Sequence, residues 1–514
     1  IYTLSDTLSL HDALPISPNT GHYFNHLTIN KASGYSATLL SDIWVKGNLS
    51  IQSGTFSAVY TSVSHNIKLG GNWSNTTGPA AFTEGYGSVT LNGTGVQYLS
   101  TENFATLILN KSAGWMSILA GTAVQCASYD WVAGSYEVQG GSFTTLDLVD
   151  PGICGTILLN GGTINYSQDS AAGSYVDLRG SLSIYNGSFT VSGGNGPSYF
   201  GRGTAAMLYL ASSGVLDFQS VGIIIANGYS FTENIVGGTI RTAERFICDR
   251  YDFTPSGGTV EMYGSASCEF RTASGSHLRN LTLNKASAAV VSAIGPIQIN
   301  GTLKLESGTF SLASSVALTC ASYDRAGGGY ILNGGTFTAN DLADPGIYGS
   351  ITLNSGTINY FQDNDPSSYM DLCGNLTIRG GTFNLYGGYP DAWLPGSPDA
   401  VLDMSAGTLN FASQGIVVNS ASPIGSQITG GTIRTTGRFE VTEADFAPAG
   451  GLVELYGDAS SYLYMEEGSS FYELKVNRSS SSATVGVNGH PATRGNFYLH
   501  GGTFNAPPSM TVGG

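Results

Sequence analysis

Charge is scarce in this chain, and what there is runs negative. Only 11% of the 514 residues are Asp, Glu, Lys or Arg, and the net charge is −16; soluble domains usually carry about 25% charged residues. Phosphate binding needs a basic stripe, so no nucleic-acid partner is expected. No apolar run reaches the roughly 18 residues that a membrane span requires, so none is expected here. Six cysteines are present with no C-x-x-C spacing, which speaks against a zinc site. Buried thiols are the expectation, and Cys248 and Cys268, one short coil apart, form the one pair worth testing as a disulfide. The seven histidines are scattered and none forms H-E-x-x-H, so no catalytic histidine is assigned. Neither an EF-hand loop nor a calcium-binding glycine nonapeptide recurs. Nucleophile-elbow and phosphate-loop spacings are missing from any strand–helix context. No metal or cofactor is expected. Helical periodicity of 3.6 is also missing over any length, which predicts almost no helix.

Glycine, in contrast, is abundant at 71 residues, about twice its usual share of ~7%. It recurs in a phrase of glycine, a hydroxyl residue and an apolar residue. From Gly141 the phrase steps by 21, 25, 27, 24 and 20 to Gly258, and from Gly335 by 21, 25, 26, 24 and 20 to Gly451. A stride of about two dozen residues marks a solenoid, each repeat being one coil stacked on the last.

A longer period overlies the first. CASYD at Cys126 recurs at Cys320, GTINY at Gly162 recurs at Gly356, and Asp150-Pro151-Gly152-Ile153 recurs as Asp344-Pro345-Gly346-Ile347, each 194 residues on. GGTIRT at Gly237 recurs at Gly430, 193 on. A block of coils is duplicated, at about 107–280 and 281–473. A third echo frames the blocks: LTINKAS at Leu27, LILNKS at Leu107, LTLNKAS at Leu281 and a worn LKVNRS at Leu474.

Stacking explains the composition. Counterparts in successive coils lie ~4.8 Å apart, where like charges repel. Hydroxyls and amides can instead bond along the stack, and β-branched and aromatic side chains pack there.

Short alternating runs bounded by Gly, Asn, Ser and Asp read as strands: Leu27 to Asn30, Val89 to Asn92, Thr156 to Asn160, Ser181 to Tyr185, Ile351 to Asn354 and Asn375 to Arg379. The expected fold is all-β, a right-handed parallel β-helix with coils of about 20–27 residues. Phe56, Phe143, Ile164, Phe189, Leu216, Ile240 and Val260 are expected along one inner face. An array of β-sandwich domains is the weaker alternative. Residues 17–514 read as one continuous solenoid, on the order of 100 Å long at ~4.8 Å per coil. Residues 1–16 share nothing with the repeats, and Tyr2 to Ile16 resembles a translated sequencing adapter, so this segment is set aside. The last residues, Val512-Gly513-Gly514, echo Leu69-Gly70-Gly71, which continues into Asn72-Trp73. The expectation is a fragment truncated at both ends.

The stretch from Lys68 to Lys111 carries G-N-W at Gly71, then G-S-V-T-L-N-G-T-G from Gly87, then L-I-L-N-K from Leu107. It resembles a repeat of large secreted bacterial proteins with β-helical, adhesin-like surface regions. The likeness is close from Leu27 to about Ser112 and looser beyond, where the blocks from Cys126 to Tyr456 lack G-N-W. It implies a secreted or cell-surface location and contact with glycans or surface proteins.

Both block copies keep Asp130/Asp324, Asp150/Asp344, Gln168-Asp169/Gln362-Asp363, Asp177/Asp371, Arg241/Arg434, Arg245/Arg438 and Glu261/Glu454. A polysaccharide-cleaving enzyme needs clustered carboxylates, and Asp363, Asp365 and Asp371 suggest one. Aspartates among strong turn formers instead cap turns, and their presence in both copies favours that reading. Two loops at matching positions stand out, GGNGPSYFGRG from Gly193 and YGGYPDAWLPGSP from Tyr386. Their Tyr199, Phe200, Tyr386, Tyr389 and Trp393 offer flat apolar faces with polar edges for sugar stacking or protein contact. The expected function is a structural or adhesive repeat region rather than an enzyme. The alternative is a β-helix polysaccharide lyase or glycoside hydrolase.

Overall fold

The computed structural model describes residues 23–148, 152–172, 174–202, 205–219, 221–342, 346–363, 365, 368–389, 391–419, 427–442 and 445–513, with the backbone of Leu8–Leu10 and Pro15–Ile16. The adapter-like segment otherwise lies outside them, as do Asp150 and Asp344. The chain divides into two compact units, Ile1–Arg250 with Pro255–Val260, and Tyr251–Thr254 with Glu261–Gly514. Each is a stack of parallel strands, a parallel β-helix with essentially no helix. Among the described residues the helical content is the 3-10 turn Pro79–Ala81 and the single residue Gln427.

In the first unit Val124, Phe143, Ile164, Phe189, Leu216 and Ile240 stand one above another. All are buried. Their spacing along the chain from Phe143 is 21, 25, 27 and 24 (143, 164, 189, 216, 240). Those are the glycine steps, so the glycine stride is the rung stride. The cause is steric. Gly162 turns the corner at φ +79°, and a Cβ there would sit 2.0 Å from the Gly141 carbonyl oxygen of the rung below. The second unit repeats the column as Leu318, Phe337, Ile358, Phe383, Leu409, Ile433, Val453 and Leu474.

Two expectations need correction. Phe56 is buried, but it lies on Phe82 in a different sheet from Phe143. Several strands also outrun the expected segments: Thr156–Gln168 and Ser181–Gly193 continue through the glycine phrase. Positive-φ glycines bend the chain there while pairing resumes beyond a register shift, so the corner does not end the strand.

Outward positions bond along the stack, as the composition implied. In the second unit Asn359 Nδ2 donates to Thr338 Oγ1 (3.4 Å), Asn384 Nδ2 to Asn359 Oδ1 (3.0 Å) and Asn410 Nδ2 to Asn384 Oδ1 (2.9 Å). The ladder continues as charge: Arg434 Nε meets Glu454 Oε2 at 2.6 Å, and Lys475 Nζ meets Glu454 Oε1 at 3.1 Å. The signs alternate up the stack, which avoids the repulsion of like charges in register.

Phe383 tests the inner column. It is fully buried between Ile358 and Leu409, with its ring edge-on to Tyr360 at 5.1 Å. Phe383→Ala is expected to cost about 3–5 kcal/mol in urea unfolding, the usual cost of emptying a core phenylalanine site. Thr382→Ala, on the opposite face of the same strand, should change stability by no more than about 0.5 kcal/mol.

Candidate functional site

Among the described residues, several of the acids and amides kept in both copies are engaged in holding the coil. Asp177 Oδ1 accepts the Tyr199 backbone N–H one rung up at 2.9 Å, and Asp371 Oδ1 accepts that of Trp393 at 2.8 Å. Gln168 Nε2 donates to the Leu148 carbonyl (2.9 Å) and Gln362 Nε2 to that of Leu342 (3.3 Å). Asp169 Oδ1 accepts the Ala171 N–H, and Asp363 Oδ1 accepts the Asp365 N–H and the Ser368 hydroxyl. Arg241 pairs with Asp217 at 3.2 Å. Arg438 lies between Asp391 Oδ2 (2.5 Å) and Glu440 Oε2 (3.0 Å). Asp363, Asp365 and Asp371 do not form a metal-holding group, and none of three or more such residues occurs among the described residues. All six cysteines are free thiols, Cys248 and Cys268 included.

The five singled-out aromatics separate. Phe200 is 0% exposed and packs on Phe218 and Phe231 at 5.7 and 5.2 Å, so it is core and offers no binding face. Period-2 alternation in Ser198–Tyr199 and onward puts Ser198 and Phe200 inside and Tyr199 outside. Tyr199 is half-buried, covered by the Arg202 guanidinium at 4.9 Å and met edge-on by Tyr229. Arg202 also lies over Tyr175 and, with Arg179, faces the buried Asp177 carboxylate at 3.9 and 3.4 Å. In the second unit Tyr386 stacks on Phe361, with centroids 4.7 Å apart and planes 12° apart. Tyr389 is 54% exposed and Trp393 40% exposed. Burial pushes the Asp177 and Asp371 carboxyls above the ordinary aspartate range, and the amide each accepts opposes the rise.

Several important residues escaped sequence reasoning. The basic residue in each framing echo, Lys31, Lys111, Lys285 or Arg478, is buried. Lys111 Nζ donates to the Gly93 and Gly95 carbonyls (2.6 and 2.9 Å) and to Gln97 Oε1 (2.6 Å). Lys285 Nζ donates to the Tyr263 carbonyl at 2.6 Å, and Arg478 Nη1 to that of Thr436 at 3.0 Å. Lys111, Lys285 and Arg478 thus pin a strand end to preceding chain. Strand parity carried the signal: in L-T-L-N-K the leucines point inward, so the lysine must too. The G-N-W phrase is likewise structural. Asn72 accepts the Tyr98 N–H, and its own N–H goes to Asn48 Oδ1. Trp73 is core, its indole N–H donating to the buried Glu102 at 2.9 Å.

Comparison with protein-family models, curated proteins and solved structures gave no match. The class defined by the coordinates is therefore the fold itself, the parallel β-helix.

Glu84 gives this region a measurable pH response. It is buried, and Ala105 N–H donates to its Oε2. Burial pushes its carboxyl up to about 8, with the nearby Glu102 adding to the rise and backbone amides opposing it. The folded value exceeds the unfolded one, so its stabilising contribution is complete below about 4.5 and is lost as pH climbs through about 8. Glu84→Gln mimics the protonated acid. It should leave the melting temperature nearly unchanged at pH 5 and raise it at pH 9, removing most of this pH dependence in thermal melts.

Proposed function

We propose that this chain is a structural and adhesive repeat region of a secreted or cell-surface bacterial protein, which presents side chains on its coils for contact with glycans or proteins. The observation that carries the reading is how the polar residues kept in both copies are used. Asp177 and Asp371 cap the next rung, Gln168 and Gln362 hold a carbonyl below, and Arg241 and Arg438 are paired with acids. Polysaccharide cleavage calls for two carboxylates facing one bond, or a base beside a held sugar acid. Glu454 is held by Asn477 at 2.8 Å as well as by Arg434 and Lys475. Burial alone would raise its carboxyl, but these three partners keep it below the ordinary range, suited to an ion-pair ladder rather than to a proton donor. Exposed aromatics, by contrast, stand on the coil surface, Tyr389 and Trp393 among them.

The test is a paired assay on the same preparation. Retention on glycan arrays and on cell surfaces is expected, with no release of reducing ends or unsaturated products from polysaccharides. Turnover of a polysaccharide with no retention on any surface overturns the reading.

A further inference from the structure

The duplication is an internal control. Where both copies build the same coil, a residue present in only one copy is not required by the fold. In the second unit Tyr348, Phe361, Tyr369, Tyr389 and Trp393 are all exposed, and Tyr386 is half-buried. Subtracting 194 gives their first-copy counterparts: Cys154, Ser167, Tyr175, Asn195, Tyr199 and, for Tyr386, Ser192. The scaffold at these positions is the same. Ser167 pairs with Ser192 as Phe361 pairs with Tyr386, and Asp177 caps Tyr199 as Asp371 caps Trp393. Four of the six positions have gained an aromatic ring on an unchanged coil.

Phe361, Tyr386, Tyr389 and Trp393 lie about one corner. Gly388 N–H bonds to the Asp363 carbonyl and Tyr389 N–H to that of Ser368, so the turn after Tyr386 rides on the turn after Phe361. Trp393 follows, seated above Asp371. Tyr386 and Tyr389 are three residues apart and Tyr389 and Trp393 four, so neighbouring rings along the strip have backbones at most about 14 Å apart. The corner has also lost two arginines, while Arg438 stays paired with Asp391. Arg179 and Arg202, which attend Asp177 and cover Tyr199 in the first copy, are Cys373 and Gly396 here (373 − 179 = 194; 396 − 202 = 194). Trp393 is uncovered as a result.

From this geometry we propose that the corner formed by Phe361, Tyr386, Tyr389 and Trp393 binds a neutral glycan, a chain of pyranose sugars without carboxylate or sulfate groups. The inference rests on the adhesive reading and narrows its ligand. Aromatic faces take the apolar C–H face of a pyranose, and amide and hydroxyl edges take its hydroxyl groups. The charges fit this ligand better than the others. Loss of both arginines removes two donors that an anionic sugar would use, and Arg438 is already paired with Asp391 and Glu440. The carboxylates are engaged too: Asp363 with Asp365 N–H and Ser368, Asp371 with Trp393 N–H, and Asp391 with Arg438 and the Gly415 N–H. A lysine- or arginine-rich peptide would find little free negative charge.

The test uses the whole chain and residues its own first copy already carries. The triple variant Phe361→Ser, Tyr386→Ser, Tyr389→Asn gives these three positions the residues of their counterparts, and Trp393→Tyr is made separately. Unchanged far-UV circular dichroism and melting temperature verify folding. Retention is measured by affinity electrophoresis in neutral polysaccharides (a β-glucan, a mannan, a xylan) and in uronate and sulfated ones. The wild type should be retarded by at least one neutral polysaccharide, with the triple variant weakened tenfold or more and Trp393→Tyr weakened about twofold to threefold. Retention of the wild type with no loss in the triple variant overturns this site and leaves the adhesive reading standing. Retention only by anionic glycans or by proteins does the same. Polysaccharide turnover without any retention overturns both.

Discussion

Stacking in register is the constraint on which everything else in this protein depends. Once each strand hydrogen-bonds to the one below, every side chain has a fixed neighbour ~4.8 Å away along the stack. An inward position must then hold something that packs on its own kind. Phe143, Ile164, Phe189, Leu216 and Ile240 do so in one unit, and Phe337, Ile358, Phe383, Leu409 and Ile433 in the other. An outward position must avoid repeating a charge. The chain answers with the Thr338–Asn359–Asn384–Asn410 ladder and then with alternating signs at Arg434, Glu454 and Lys475. The low charge content noted in the sequence follows from this geometry.

The same constraint accounts for buried polar groups, which cost free energy unless fully bonded. Tyr330 and Tyr360 share a buried hydroxyl contact at 2.6 Å, and Tyr136 and Tyr166 form the matching pair in the first copy. Trp73 and Asn75 converge on Glu102. Lys111 satisfies three oxygens at once. Each of these contacts crosses between coils, with partners 14 to 30 residues apart in the chain. A slip of register by one residue would leave every one of them unpaired in the core. Their value is therefore in fixing which rung meets which, a task that uniform apolar stacking performs poorly.

Much of this was legible in the sequence, because a positive-φ glycine pressed against backbone leaves no alternative residue. Gly162 is such a position, and the glycine stride reproduced the rung spacing from Phe143 to Ile240. What was not legible is of a different kind. Phe200 and Tyr199 are adjacent aromatics in one loop, and only strand parity separates core from surface. Lys31, Lys111, Lys285 and Arg478 are polar by type, and only the alternation of the preceding apolar residues turns them inward. Phe56 fitted the glycine phrase but joined another sheet, because a phrase identifies a corner and does not say which corner of the coil it is.

A coil built this way separates scaffold from function more cleanly than a globular core does. In a globular domain, a surface residue next to a site is coupled to packing through many neighbours. Here each outward residue touches its rung neighbours and little else. The change from Ser167 and Ser192 to Phe361 and Tyr386 leaves the strand pairing beneath unaltered. The carboxylate beneath Trp393 performs the same capping with neither arginine that attends its counterpart. Selection on such a fold can therefore vary exposed rings and charges one rung at a time, at small cost in stability. Duplicating the block then gives two surfaces on one architecture: a first-copy corner closed by guanidinium over tyrosine, and a second-copy corner with its aromatic rings open to solvent.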